Sequence, residues 1–204
     1  MKNRLLAAVC GVIAVTGCAS LMYSPPNREE TMAVIKSSFH DRGIAKVERL
    51  NQSELQLVCS ETGNNPPKDV RERLERAALA AVKFPADGNW LGDHKLGERV
   101  AQTGVGLQWT DKADTPAGGN CYACHQLSKA EISFGNIGPS LYNYGKLRGD
   151  TEQIRRYTWA KIWNTHSFNA CSSMPRFGDA GILTEAQIKD VMALLLDPAS
   201  PVNQ

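Results

Sequence analysis

Apolar residues recur at helical spacing along most of the chain, and few positions alternate as a half-buried strand requires. Residues 29–40 place Met32, Ile35 and Phe39 on one side of a helix, and "DRGI" breaks the run. Val47, Leu50, Leu55 and Val58 continue the spacing over 45–59, and "TGNNPP" ends it. "KDVRERLERAALAAVKF" gathers Val70, Leu74, Ala77, Ala78 and Ala81 on one face, with Arg71/Glu75 and Glu72/Arg76 a turn apart, before Pro85 and Gly88 close the segment. "GDHKLGERVAQTG" predicts a helix ending at Gly104. "DKADTPAGGN" and residues 127–150 read as loop. "TEQIRRYTWAKIWN" carries Thr151 as cap and an apolar stripe of Ile154, Tyr157, Trp159 and Ile162. "LTEAQIKDVMALLLD" has Thr184 as cap, Gln187 three residues on, a buried face of Ile188, Val191, Met192 and Leu195, and Pro198 as its stop. The pattern is all-α.

The start of the chain follows a different rule. Basic "MKNR" precedes an apolar run of eleven, "LLAAVCGVIAV", and the small residues of "TGCAS". The run is too short for a convincing membrane span and reads as an export signal over 1–17. "VTGC" also resembles a bacterial lipoprotein box, in which Cys18 becomes the lipidated first residue; ordinary cleavage nearby is the alternative. The expected organisation is a signal over 1–17, a tether and helical extension over 18–87, and a second domain over 88–204. Formal net charge is +2, and once Lys2 and Arg4 are set aside basic and acidic groups balance at 21 each. That balance gives no reason to expect a nucleic-acid partner.

Short helices joined by long glycine-rich loops make a thin core for the second domain, and a large apolar cofactor would complete it. "GNCYACHQLS" offers the means to hold one. Cys121, Cys124 and His125 form a C-x-x-C-H motif, the signature of covalent haem attachment. The spacing puts two sulfurs on one turn of chain for the vinyl groups and lets the imidazole reach the iron. A redox dithiol should follow a strand and open a helix, whereas this pair follows "TPAGGN"; a zinc site would need a second cluster. Export to an oxidising compartment leaves Cys59 and Cys171 to account for. A Cys59–Cys171 disulfide is the economical pairing, and two separately buried thiols are the alternative.

A six-coordinate iron needs one more ligand. Met174, Met192, His94 and His166 are the candidates. Met192 falls on the core face of the last helix, and His94 lies among charged residues and is expected exposed. Met174, in the turn-rich "CSSMPRFG", has little structural reason to be there and can present its thioether across a ring face. His166 and an open iron are the other readings. Pro139 in "NIGPSL" could aim a backbone carbonyl at the His125 ring, and Gly138 would permit a close approach. Tyr142, Tyr144, Trp159, Trp163 and Phe177 could pack on the ring or serve as plain core. Arg155, Arg156 and Arg176 are candidates to neutralise propionates.

Residues 118–198 resemble a class I cytochrome c domain and, more closely, the SoxX family, the monohaem subunits of SoxXA complexes. The resemblance is carried by "GNCYACHQL", "GNIGPSLYNYGK", "ACSSMPRFG" and "GILTEAQIKDVMALLLDP". It implies a class I cytochrome c fold and one covalent haem c tethered by Cys121 and Cys124, with His125 and Met174 as axial pair. It also implies a periplasmic location and a SoxA-like haem protein as partner. In such complexes thiosulfate is joined oxidatively to a cysteine of a SoxYZ carrier, and the SoxX-like subunit passes electrons to a further cytochrome without doing the sulfur chemistry. The helical extension resembles that of longer SoxX forms, where a partner contact or a packing staple through Cys59 are both expected roles. A free-standing periplasmic electron carrier is the alternative function.

Overall fold

The computed structural model describes residues 27–204, so the export segment and Cys18 lie outside the described residues. The chain divides into two compact units, Met1–His40 and Asp41–Gln204. Of the first, the described part is helix α1 (Arg28–Ser38). Asn27 caps it by accepting the Glu30 N–H at 2.8 Å, and Glu29 and Glu30 at its start and Lys36 near its end complement the helix dipole.

The second unit contains α2 (Glu54–Glu61), α3 (Lys68–Ala80), α4 (His94–Gln102), α5 (Tyr144–Arg148), α6 (Glu152–Trp163) and α7 (Glu185–Leu196). The described residues hold no strand, only one isolated antiparallel bridge between Arg42 and Ala45. The fold is all-α. Helix α7 is its spine. Thr184 and Gln187 close a reciprocal capping box, and Ile188, Val191, Met192, Leu194, Leu195 and Leu196 are all buried. Met192 is core, as its place on the stripe predicts. Helix α4 packs closely on α7 because Gly97 lacks a side chain: a Cβ there would overlap the Asp190 carbonyl. The Gly92 N–H donates to the Lys189 carbonyl at 2.9 Å, and the Asp93 N–H to the Asp190 carboxylate at 2.8 Å.

Helix α6 supplies the other wall. Trp159 is fully buried, stacks on Trp163 with centroids 6.1 Å apart, and meets Trp90 edge-on at 5.9 Å. Its indole N–H donates to the Lys83 carbonyl at 2.8 Å, so the chain leaving α3 is pinned to α6. The α2–α3 pair is thereby one compact unit with the helices that follow. Leu74 of α3 is buried, and Cys59 of α2 is disulfide-bonded to Cys171.

Two elements differ from the sequence pattern. The helix expected over 45–59 is split into a short turn, Val47–Leu50, and α2. Ser53, in an extended conformation, starts α2 afresh through a capping box with Gln56, and this local stop outweighs the continuing apolar period. The loop expected over 127–150 contains α5. The amides of its second and third residues, Gly145 and Lys146, donate to the Asn203 side chain at 2.9 and 3.2 Å, so these N-terminal donors are satisfied from a distant part of the sequence.

Candidate haem-attachment site

Cys121–Ala123 is a single 3-10 turn. Asn120 enters it in the left-handed region, at φ 45°, which asparagine tolerates better than most residues. The Cys124 and His125 N–H groups both donate to the Cys121 carbonyl, at 3.1 and 2.9 Å, and this puts the three side chains of the motif on one tight loop. The Cys121 and Cys124 thiols are not bonded to each other. Cys121 leans on the apolar core, and burial pushes its thiol up to about 12. A neutral, core-facing sulfur suits a covalent tether better than a solvent-facing redox dithiol.

The His125 ring is fixed on one side. Its Nδ1 lies 2.7 Å from the Pro139 carbonyl oxygen, which can only accept, so Nδ1 carries a proton, and in the neutral ring the lone pair is left on Nε2. The chain can come this close because residue 138 is glycine: a Cβ there would overlap the imidazole. The close approach is thus to the histidine. The loop is held further by the Gly135 N–H on the Tyr122 carbonyl at 2.8 Å and the Gly138 N–H on the Cys124 carbonyl at 2.9 Å.

Behind the motif sits a polar cluster that the sequence did not announce. The Tyr122 hydroxyl donates to Glu98 at 2.8 Å and lies 3.2 Å from the Ser128 hydroxyl; Gln102 donates to the same Glu98 oxygen at 2.9 Å. Burial raises the Tyr122 phenol to about 12, which keeps it a donor. The cluster ties α4 to the motif. Its only sequence signal was a glutamate on the helical face next to Ala101.

Met174 is half-buried in the loop between a 3-10 turn, Thr165–Ser167, and α7, and it packs against the same apolar cluster as Cys121. Its N–H donates to the Ser172 hydroxyl at 3.2 Å. The other candidate ligands have protein partners. His166 is buried, with Nε2 3.3 Å from the Ser172 carbonyl, and burial holds it below the usual histidine range. His94 is half-buried, not exposed: α4 begins beside the end of α7, and its Nδ1 lies 3.3 Å from the Asp197 carboxylate. Among the propionate candidates, Arg155 pairs with Asp150 and Arg176 with Asp179, while Arg156 covers the Phe84 ring. Tyr144 bonds Thr158 at 2.8 Å, Tyr142 donates to the Gln204 carbonyl at 2.6 Å, and Trp159 and Phe177 are core.

This donor set fits a covalent haem. It offers two unpaired thiols on one turn, an imidazole with its distal nitrogen free, and a thioether on a neighbouring loop. Comparison with known proteins agrees. The cytochrome c family model matches residues 87–197. The chain is also 32% identical over 211 aligned residues, covering all of both proteins, to an uncharacterized lipoprotein of Aquifex aeolicus. The chain belongs to the cytochrome c family. It is a c-type cytochrome of the class I, all-α kind, and membership implies covalently bound haem c and haem-based electron transfer. Such proteins typically work outside the cytoplasm. No helix among the described residues is long and apolar enough to cross a membrane.

Proposed function

We propose that this protein is a SoxX-like electron-relay subunit carrying a single haem c. Cys121 and Cys124 would tether the haem, and His125 and Met174 would ligate its iron. The observation that carries the haem reading is the motif turn with His125 locked on the Pro139 carbonyl. When bound, the haem supplies an iron that takes up and releases one electron. The chain's own residues do the rest. Pro139 holds the imidazole in one tautomer and strengthens it as a donor. Gly138 leaves room for that ring. Met174 presents a thioether, which favours the reduced iron and raises the potential relative to histidine.

The SoxX reading is supported by the four matching stretches within 118–198, which combine the motif, the Gly-Pro turn, the methionine loop and the last helix. In that role the protein takes electrons from a SoxA-like haem partner as thiosulfate is conjugated to a cysteine of a SoxYZ-like carrier, and passes them to a downstream cytochrome. A periplasmic location with a lipid anchor at Cys18 is supported by the "VTGC" box and by the Aquifex aeolicus relative being a lipoprotein. The breadth of the family match also favours a second reading, a free-standing periplasmic carrier. Pull-down from native extract, followed by thiosulfate-dependent reduction of this haem with its partner present, separates them. A second haem protein should copurify and reduction should follow thiosulfate; a solitary chain that thiosulfate cannot reduce overturns the SoxX reading.

A further inference from the structure

The methionine loop has little regular structure of its own. From Asn169 to Met174, most of its bonds stay inside the loop or return to the preceding turn. The Cys171 N–H donates to the Asn169 side chain at 3.2 Å and the Ser172 N–H to the Asn169 carbonyl at 3.1 Å. The Ser172 hydroxyl takes the Met174 N–H, and the Thr165 hydroxyl lies 3.2 Å from it. Among the described residues, two bonds carry the loop beyond its own segment and the preceding turn, and both go to the helical extension. Glu75 of α3 accepts the Ala170 N–H at 3.1 Å from 95 residues away. Cys59 of α2 is bonded to Cys171 from 112 residues away. Both anchors lie within four residues of Met174.

We propose that the extension is a clamp for the axial methionine, with Cys59, Cys171 and Glu75 as positioning residues that keep the Met174 thioether on the iron. The inference rests on the reading of Met174 as ligand. Its physical basis is effective concentration. A thioether is a weak ligand, displaced whenever its loop wanders, and an intramolecular contact is only as strong as the confinement of the segment that carries it. The disulfide and the carboxylate confine this segment from outside, which the short loop cannot do for itself.

The test uses the haem-loaded protein. Wild type, Met174→Ala and the double variant Cys59→Ser/Cys171→Ser are compared by the red absorption of methionine-ligated ferric haem, by reduction potential and by the rate at which imidazole enters the ferric site. The wild type should show the band and Met174→Ala should lack it. The double variant should keep its covalent haem, lose much of the band, fall in potential and admit imidazole about tenfold faster or more. A plain packing staple would lower the melting temperature and leave these readouts unmoved at room temperature. A wild type without the band, or Met174→Ala with an unchanged spectrum, defeats the ligand reading itself. A methionine-ligated wild type whose double variant matches it in band, potential and imidazole rate defeats the clamp alone. Glu75→Ala, which leaves the disulfide intact, is read in the same way should the cysteine-free protein fail to accumulate: an imidazole rate equal to wild type overturns the clamp.

Discussion

The haem-motif segment and the methionine segment are built in different ways. The motif segment, 119–139, is held from nearby in sequence: the turn closes on the Cys121 carbonyl, the His125 ring is held by Pro139, 14 residues on, and the segment is tied to α4 and Thr103 through the Gly119 N–H on the Val100 carbonyl, the Asn120 N–H on the Thr103 carbonyl and the Tyr122 hydroxyl on Glu98. The methionine segment, 164–179, has local bonds too, such as the Gly178 and Asp179 N–H groups on the Trp163 carbonyl at 3.1 and 3.0 Å, but its outside anchors, Glu75 and Cys59, come from 95 and 112 residues away. The motif side is local in sequence, and the methionine side depends on long-range packing. On the proposed ligation, Met174 is the ligand that the rest of the fold can tune.

The sharpest way to break the comparison is on the motif side. Replacing Cys121 and Cys124 by Ser, or His125 by Ala, should abolish or severely reduce covalent haem. Haem staining after denaturing electrophoresis and the intact mass check it, and a normal haem load in the double serine variant would refute the proposed tethers. A Met174→Ala protein should instead keep its covalent haem.

Two glycine variants sharpen the same contrast with smaller effects. Gly138→Ala drives a methyl group into the imidazole and should weaken its bond to Pro139. Gly178→Ala does the same to the Trp163 indole, under the methionine loop. Each overpacking should cost about 1–3 kcal/mol in denaturant unfolding. The ligand effects should differ. Gly138→Ala should disturb the histidine signals of the haem spectrum, and Gly178→Ala the methionine band. Identical spectral changes in both would erase the distinction between the two halves.

The same division explains what could be read from the sequence. The C-x-x-C-H turn, the Gly-Pro approach to His125 and the capping box of α7 are short-range devices whose letters stand side by side. The core face of α7, Met192 included, followed from helical spacing. What escaped was long-range. Nothing near Glu75 announces the Ala170 amide, nothing near Trp159 announces the Lys83 carbonyl, and nothing near Gly145 announces the Asn203 side chain. His94 looked exposed because its neighbours in sequence are charged, but its neighbour in space is Asp197 at the end of α7. Cysteine arithmetic made a 59–171 disulfide the economical pairing, and the structure contains it; what it could not show is that α3 also reaches the same loop, through Glu75 on the Ala170 amide.

The smallest expected effect is a pH dependence of the methionine side. His166 is buried beneath the loop, and desolvation is the main reason its charged form is disfavoured. The Ser172 carbonyl and Asp179 oppose that shift, while Arg176 and Lys161 add to it. With the folded-state value below the ordinary one, the unfolded chain takes up the proton first as pH falls. Stability is therefore full above the ordinary histidine range and declines as pH drops through it toward the folded-state value. Carboxylates also titrate on the way down, so the wild-type slope alone does not identify His166. The readout is a difference: the urea midpoint should fall more steeply from pH 7.5 to 5.5 in the wild type than in His166→Phe. Parallel slopes would mean that the imidazole gains its proton equally well in the folded protein, and that the methionine loop is not closed over it as the structure shows.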